Sequence, residues 1–193
     1  MDKVILRQKL KEIRAGVLDK ETKDKLICDR LFELLDNQFK NANSVFVYEH
    51  MGSEVATDGI INTAKDKGFN IYIPQVDKDF NMQMILAHAK NNFPLEERCR
   101  AATGWDSQTQ AKAKPLNCVA IVPLLGFNAK LHRIGYGKGC YDKFFALNPN
   151  FVKIGIAYSE QLCDFKPDIH DVPLDYVVTD KLLYSYTNES NSR

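Results

Sequence analysis

Short apolar β-forming runs alternate with stretches of helical period along this chain, and that alternation restricts the fold more than any other feature. SVFVY (44–48), FNIYIP (69–74), LNCVAIVPLL (116–125), FVKIGIAYS (151–159) and LDYVVT (174–179) read as strands. NMQMILAHA (81–89) alternates weakly and reads as a strand towards one edge, while LNCVAIVPLL is the most apolar run and reads as the central strand. Leu6, Leu10, Ile13 and Val17 share one helical face, and Ile27, Leu31, Leu34 and Leu35 repeat the pattern. Thr57 is placed to cap a helix running to about Lys67 and ended by Gly68, and YDKFFAL (141–147) is a further helical stretch. Strands separated by helices give an α/β domain: a mostly parallel central sheet flanked by helices.

The 193 residues suit a single domain over 1–193. Lys and Arg total 26 against 25 Asp and Glu, so no bulk field of one sign draws the chain to nucleic acid or to a membrane, and any anion site is local. Cys28, Cys99, Cys118, Cys140 and Cys163 form no CxxC pair, which favours reduced thiols over a disulfide framework or zinc ribbon. MDKVILRQKLKEIRAG lacks the apolar run of a signal peptide, and the expectation is a cytoplasmic protein. Asn91–Pro115, polar and mixed and containing Trp105, reads as a long loop.

The chemistry concentrates in RIGYGKGCYD (133–142). Gly135 and Gly137 match the first two glycines of a dinucleotide fingerprint, but Cys140 stands where the third belongs. Lys138 follows Gly137, yet Gly139 replaces the Ser or Thr of a P-loop and residue 132 is no glycine. What remains is general physics. Gly135, Gly137 and Gly139 allow positive φ and let successive N–H groups converge on an anion. The helix from Tyr141 onward adds a positive N-terminus, Arg133 and Lys138 add full charges, and Asp142 can carry Mg²⁺ between phosphates. The same residues also fit a tight turn with exposed charges.

On a helical wheel Lys3, Arg7 and Arg14 fall within about 40° of one another, at the edge of the apolar face, where a cleft or a solvated stripe are both possible. His50, His88, His132 and His170 share no metal-ligand spacing and read as surface or loop residues.

These segments together resemble the 5-formyltetrahydrofolate cyclo-ligase family, also called methenyltetrahydrofolate synthetases. The resemblance rests on KVILRQKLKEIR, YEHMGSEVAT, IVPLLGFNAKLHRIGYGKGCYDKFF and DIHDVPLDYVVTD, which occur in the family's order. It implies the family's fold, related to the NagB/RpiA/CoA-transferase-like architecture. It also implies ATP- and Mg²⁺-dependent cyclisation of 5-formyltetrahydrofolate to 5,10-methenyltetrahydrofolate by a cytoplasmic monomer, with small molecules as its partners. A non-catalytic nucleotide- or folate-binding paralogue of the same fold is the alternative.

Carried over by position, Lys3 and Arg7 match phosphate contacts, with Arg14 as a helper. Arg133, Ile134, Gly135, Tyr136, Gly137, Lys138, Gly139, Cys140 and Tyr141 match the ATP loop. Lys138, Arg133 and Arg7 carry the catalytic charges. Glu49, Glu54 and residues Tyr136 to Cys140 match the folate side, and Asp142 and Asp171 the metal. The chain departs from the family at Cys140 (the first tyrosine of YYD), at Asn128 (commonly Asp) and over 102–115, where relatives carry a proline-containing segment near the substrate.

Overall fold

The computed structural model describes residues 2–87 and 117–186, and all structural statements concern these. The chain opens with two helices, α1 (Lys3–Ala15) and α2 (Lys20–Gln38), before β1 (Ser44–Val47). Helix α3 (Asp58–Asp66) leads to β2 (Asn70–Val76) and β3 (Met82–Leu86). Strand β4 (Cys118–Val122), the hairpin β5 (Gly126–Phe127) and β6 (Arg133–Ile134), and helix α4 (Cys140–Leu147) follow. Strands β7 (Val152–Ala157), β8 (Tyr176–Thr179) and β9 (Leu183–Ser185) complete the described elements.

Among the described residues seven strands form one sheet in the order β3-β2-β1-β4-β7-β8-β9. Its five inner strands pair in parallel, and only the edges β3 and β9 are antiparallel. The expected central strand is indeed β4, and NMQMILAHA supplies the edge strand β3, with His88 and Ala89 outside the described residues.

The alternation of side chains across the sheet builds a core on each face. Val45, Val47, Val119, Ile121, Ile154 and Ile156 meet the apolar stripes of α2 and α3. Phe46, Ala120, Val122 and Ala157 point the other way, towards Phe144, Phe145 and Phe151. Phe46 stacks at 5.1 Å from Phe144, a tilted aromatic pair that adds about 1 kcal/mol to its burial. Burial on both faces is why these strands read as continuous apolar runs.

Several boundaries differ from the sequence expectation. The central strand ends at Val122 because Pro123 has no N–H for the ladder. Helix α1 stops at Ala15, so Val17 is buried from beyond the helix rather than on it. Thr57 does precede α3, but its hydroxyl accepts from the His50 amide at 3.2 Å and makes no cap bond. The β5–β6 hairpin and β9 are two or three residues each, below the length at which alternation is readable. Cys28, Cys118, Cys140 and Cys163 are free thiols; Cys99 and the 91–115 loop lie outside the described residues. No described helix is long and apolar enough to cross a membrane.

Candidate active site

The chain leaves β1 towards β2 on one side and β4 towards β7 on the other, so β1 and β4 are neighbours across a topological switch. The loops after two such strands diverge and open a crevice at their carboxyl ends, where α/β sheets bind ligands. Glu49 and Glu54 follow β1, and the glycine loop follows β4 through the β5–β6 hairpin.

Helix α1 lies across the hairpin. Leu6 and Leu10 pack with Leu125 and Ile134, and a β-carbon on Gly126 would lie 2.7 Å from Leu10 Cδ1. Only a glycine at 126 lets the helix approach this closely, which brings its cations to the loop. Ile134 is thereby a core residue: its side chain is in this cluster and its carbonyl accepts from the Leu125 amide at 2.7 Å.

Arg7 Nε donates to the Gly135 carbonyl at 3.0 Å, and a β-carbon on Gly137 would come within 3.1 Å of Arg7 Cζ. Gly137 and Gly139 have φ of +93° and +67°, a region that L side chains avoid. Gly139 caps α4, Cys140 is its first residue, and Tyr141 packs beside Phe46 and Phe145. Burial holds the Tyr141 phenol well above its ordinary pKa, against the opposing charge of Arg133. Lys138 is exposed, its Nζ 4.7 Å above the ring of Phe80.

Arg133 is buried on β6. Its Nη2 donates to Asp142 Oδ1 at 2.8 Å and its Nη1 to the Val172 carbonyl at 3.0 Å. Burial draws its pKa down, and the charges of Asp142 and Asp171 oppose that. Asp142 Oδ1 also accepts the Val172 amide at 3.1 Å, which ties α4 to the 168–172 turn. On that turn Asp171 Oδ2 accepts from Lys3 Nζ at 2.9 Å and from the Asp168 amide at 2.7 Å.

Asp142 and Asp171 thus flank Arg133, and among the described residues Asp142 Oδ2 and Asp171 Oδ1 take no hydrogen bond. No three His, Cys, Asp or Glu among the described residues group closely enough to hold a metal alone. Two carboxylates with an oxygen each to give fit Mg²⁺, which completes its shell from water and phosphate oxygens.

On the β1 side of the loop, Glu54 is 6% exposed. Its Oε2 accepts the Met51 amide at 2.9 Å and its Oε1 the Tyr136 hydroxyl at 2.8 Å. Arg14 lies here, 3.7 Å from Glu54 Oε1, and it donates to the Tyr136 hydroxyl at 2.6 Å and the Leu124 carbonyl at 3.3 Å. Arg14 therefore parts from Lys3 and Arg7. Its wheel position is at the helix edge, but its guanidinium reaches under the loop. Glu49 is half-buried at the end of the β1 segment.

Asn128 organises the β5–β6 turn: its Oδ1 takes the Lys130 and His132 amides, both at 3.0 Å, and its amide donates to the Phe165 carbonyl. An Asn does this turn-forming work as an Asp does, with one added donor. Two contacts escaped the sequence reading, Phe80 under Lys138 and Asp168 beside Lys3 at 2.6 Å. The DKDFN turn was a readable signal for the first, since Asp77 Oδ1 accepts the Asp79 and Asn81 amides in an Asx turn that projects Phe80.

The chain is similar to known proteins over nearly its whole length. A model of the 5-formyltetrahydrofolate cyclo-ligase family matches residues 1–180. The chain is similar to the 5-formyltetrahydrofolate cyclo-ligase of Mycoplasma genitalium, 28% identical over 177 residues that cover 91% of this chain and 92% of the relative. The mouse 5-formyltetrahydrofolate cyclo-ligase is 26% identical, with 90% and 91% covered. Of solved structures, the 5,10-methenyltetrahydrofolate synthetase of Mycoplasma pneumoniae superposes with a TM-score of 0.72 at 28% identity, over 93% of this chain and 99% of that one. The Aquifex aeolicus synthetase, at 22% identity, shares the fold with a TM-score of 0.72 over the full length of both chains. The chain belongs to the 5-formyltetrahydrofolate cyclo-ligase family of enzymes.

Proposed function

We propose that the protein cyclises 5-formyltetrahydrofolate to 5,10-methenyltetrahydrofolate with ATP and Mg²⁺, releasing ADP and phosphate. The observation that carries this reading is that Arg7 bonds the glycine loop, Arg133 and Asp142 at its ends bond one another, Lys3 bonds Asp171 on the turn that Asp142 ties to α4, and the loop's tyrosine touches Glu54.

The formyl group is amide-like, and its oxygen leaves poorly. Transfer of the γ-phosphoryl group to that oxygen breaks the bond to ADP and makes the oxygen a phosphate leaving group. N10 then attacks the formyl carbon and gives up its proton to solvent, the C–N bond closes the ring, and phosphate departs with the oxygen. The protein's share is positioning and charge neutralisation. Arg7 from α1 and Lys138 within the loop neutralise the transferring group, while the 135–139 backbone offers its N–H groups. Arg133 is committed to Asp142 and holds the floor of the site. Asp142 and Asp171 would hold Mg²⁺, which supplies charge neutralisation on the phosphate oxygens when bound. Glu54 accepts the adjacent ring N–H and amino donors of the pterin, the pairing a carboxylate suits.

The test is direct. Purified protein with 5-formyltetrahydrofolate, ATP and Mg²⁺ is expected to generate the absorbance of methenyltetrahydrofolate. A folded, ATP-binding protein that produces none would refute the proposal.

A further inference from the structure

An incoming donor meets Glu54 with both carboxylate oxygens engaged: Oε2 on the Met51 amide and Oε1 on the Tyr136 hydroxyl. The two residues that touch Oε1 differ in how they are held. Arg14 is buried and reaches three separate segments, through Nε to Ser53 Oγ at 3.1 Å, Nη1 to the Leu124 carbonyl and Nη2 to the Tyr136 hydroxyl. Tyr136 is 47% exposed, with Lys11 and Arg14 each 5.6 Å from its ring centre, and stands between Gly135 and Gly137, the latter already at φ +93°. A half-exposed side chain between glycines moves at low backbone cost, whereas a buried guanidinium that keeps Ser53 and the Leu124 carbonyl when Tyr136 leaves does not.

The other side of the loop is gripped by Arg7, whose Nε holds the Gly135 carbonyl and whose guanidinium lies against Gly137. The group that nucleotide phosphates would recruit is thus the group that fixes both neighbours of Tyr136.

We propose that Arg14 and Tyr136 are positioning residues for Glu54: Arg14 stays and aims the carboxylate, while the Tyr136 hydroxyl occupies Oε1 until nucleotide draws Arg7 off the Gly135 carbonyl. The inference rests on Glu54 as the pterin acceptor and Arg7 as a phosphate contact. Nucleotide binding then uncovers Glu54 for the reduced folate, and by reciprocity a folate donor that displaces Tyr136 favours nucleotide. Once Tyr136 leaves, Arg14 remains the cation beside the carboxylate.

The experiment has two arms. With ¹³C at the tyrosine Cζ, the Tyr136 resonance is assigned by its loss in Tyr136→Phe. A saturating non-hydrolysable ATP analogue without folate moves it towards the position of a solvent-exposed tyrosine. In the second arm calorimetry measures 5-formyltetrahydrofolate binding. Tyr136→Phe binds it about threefold to tenfold more tightly than wild type without nucleotide, the worth of one released hydrogen bond. The analogue's enhancement of folate binding shrinks by the same factor. Arg14→Met weakens folate binding with or without nucleotide, and Arg14→Lys recovers part of it. A Tyr136 resonance unmoved at saturation, or equal folate affinity in Tyr136→Phe and wild type, overturns the proposal. If the resonance moves but neither protein binds folate, the loop movement stands and Glu54 falls as the pterin acceptor.

Discussion

Arg7 and Gly137 are fitted to one another: the guanidinium carbon lies 3.1 Å from where a β-carbon on Gly137 would sit, and Gly137 holds a φ of +93°. Gly137→Ala therefore strains the backbone by about 1–3 kcal/mol and sets a methyl group against the guanidinium that would meet the phosphates. ATP affinity is expected to fall about tenfold or more, read by calorimetry. Unchanged affinity would show that the loop does not organise Arg7.

Lys138 and Arg133 are both cations of the loop, but their substitutions are expected to fail differently. Lys138 is exposed and meets only the Phe80 ring among the contacts described, so Lys138→Ala should leave stability within about 0.5 kcal/mol. Its turnover should drop about a hundredfold, as for loss of one donor to a transferring group. Arg133→Ala removes the buried partner of Asp142 and should cost about 3 kcal/mol of folding stability. Wild-type kcat and ATP KM in Lys138→Ala would remove Lys138 from the phosphates.

Asp142→Asn keeps the shape of the side chain and an acceptor for Arg133 and the Val172 amide. The charge at the proposed Mg²⁺ position is lost. The Mg²⁺ concentration for half-maximal cyclisation is expected to rise about tenfold. A superimposable metal titration would take Asp142 out of the site.

The Lys3–Asp171 contact makes a pH prediction. Burial pushes the Asp171 carboxyl up, but the Asp168 amide and Lys3 outweigh it and hold the pKa below its ordinary 3.8. A depressed carboxylate contributes stability that is present above that ordinary value and lost as pH falls through the lower folded one. Lys3 has the opposite sign. Burial lowers its pKa, yet the bonds to Asp168 and Asp171 leave it raised above 10.5. Its contribution is present below 10.5 and lost as pH rises through the folded value. Urea midpoints of Asp171→Asn should therefore approach those of wild type at about pH 3 and fall below them at about pH 6. A gap of the same size at both would contradict the ion pair's role.

Much of the architecture was legible in the chain. β1, β4 and β7 are buried on both faces, and their continuous apolar runs, separated by helical stretches, suit a doubly covered parallel sheet. The glycine loop was legible too, because φ above zero at 137 and 139 leaves the residue type little choice. Its partners were less so. A helical wheel put Arg14 beside Lys3 and Arg7, and from one helix alone those three cations are equivalent. The β5–β6 hairpin and β9 are too short to leave a periodic trace.

By itself, then, the sequence determined the alternation of elements, the central strand and the glycine positions, all of which follow from local conformational preference and burial. Only the tertiary structure decided what the charges do. Lys3 went to Asp168 and Asp171, Arg7 to the loop backbone, Arg14 to Glu54 and Tyr136, and Arg133 to Asp142. Such pairings join residues up to 168 positions apart. A side chain's partner at that separation is set by where the sheet and α1 place their ends, and no local pattern records it.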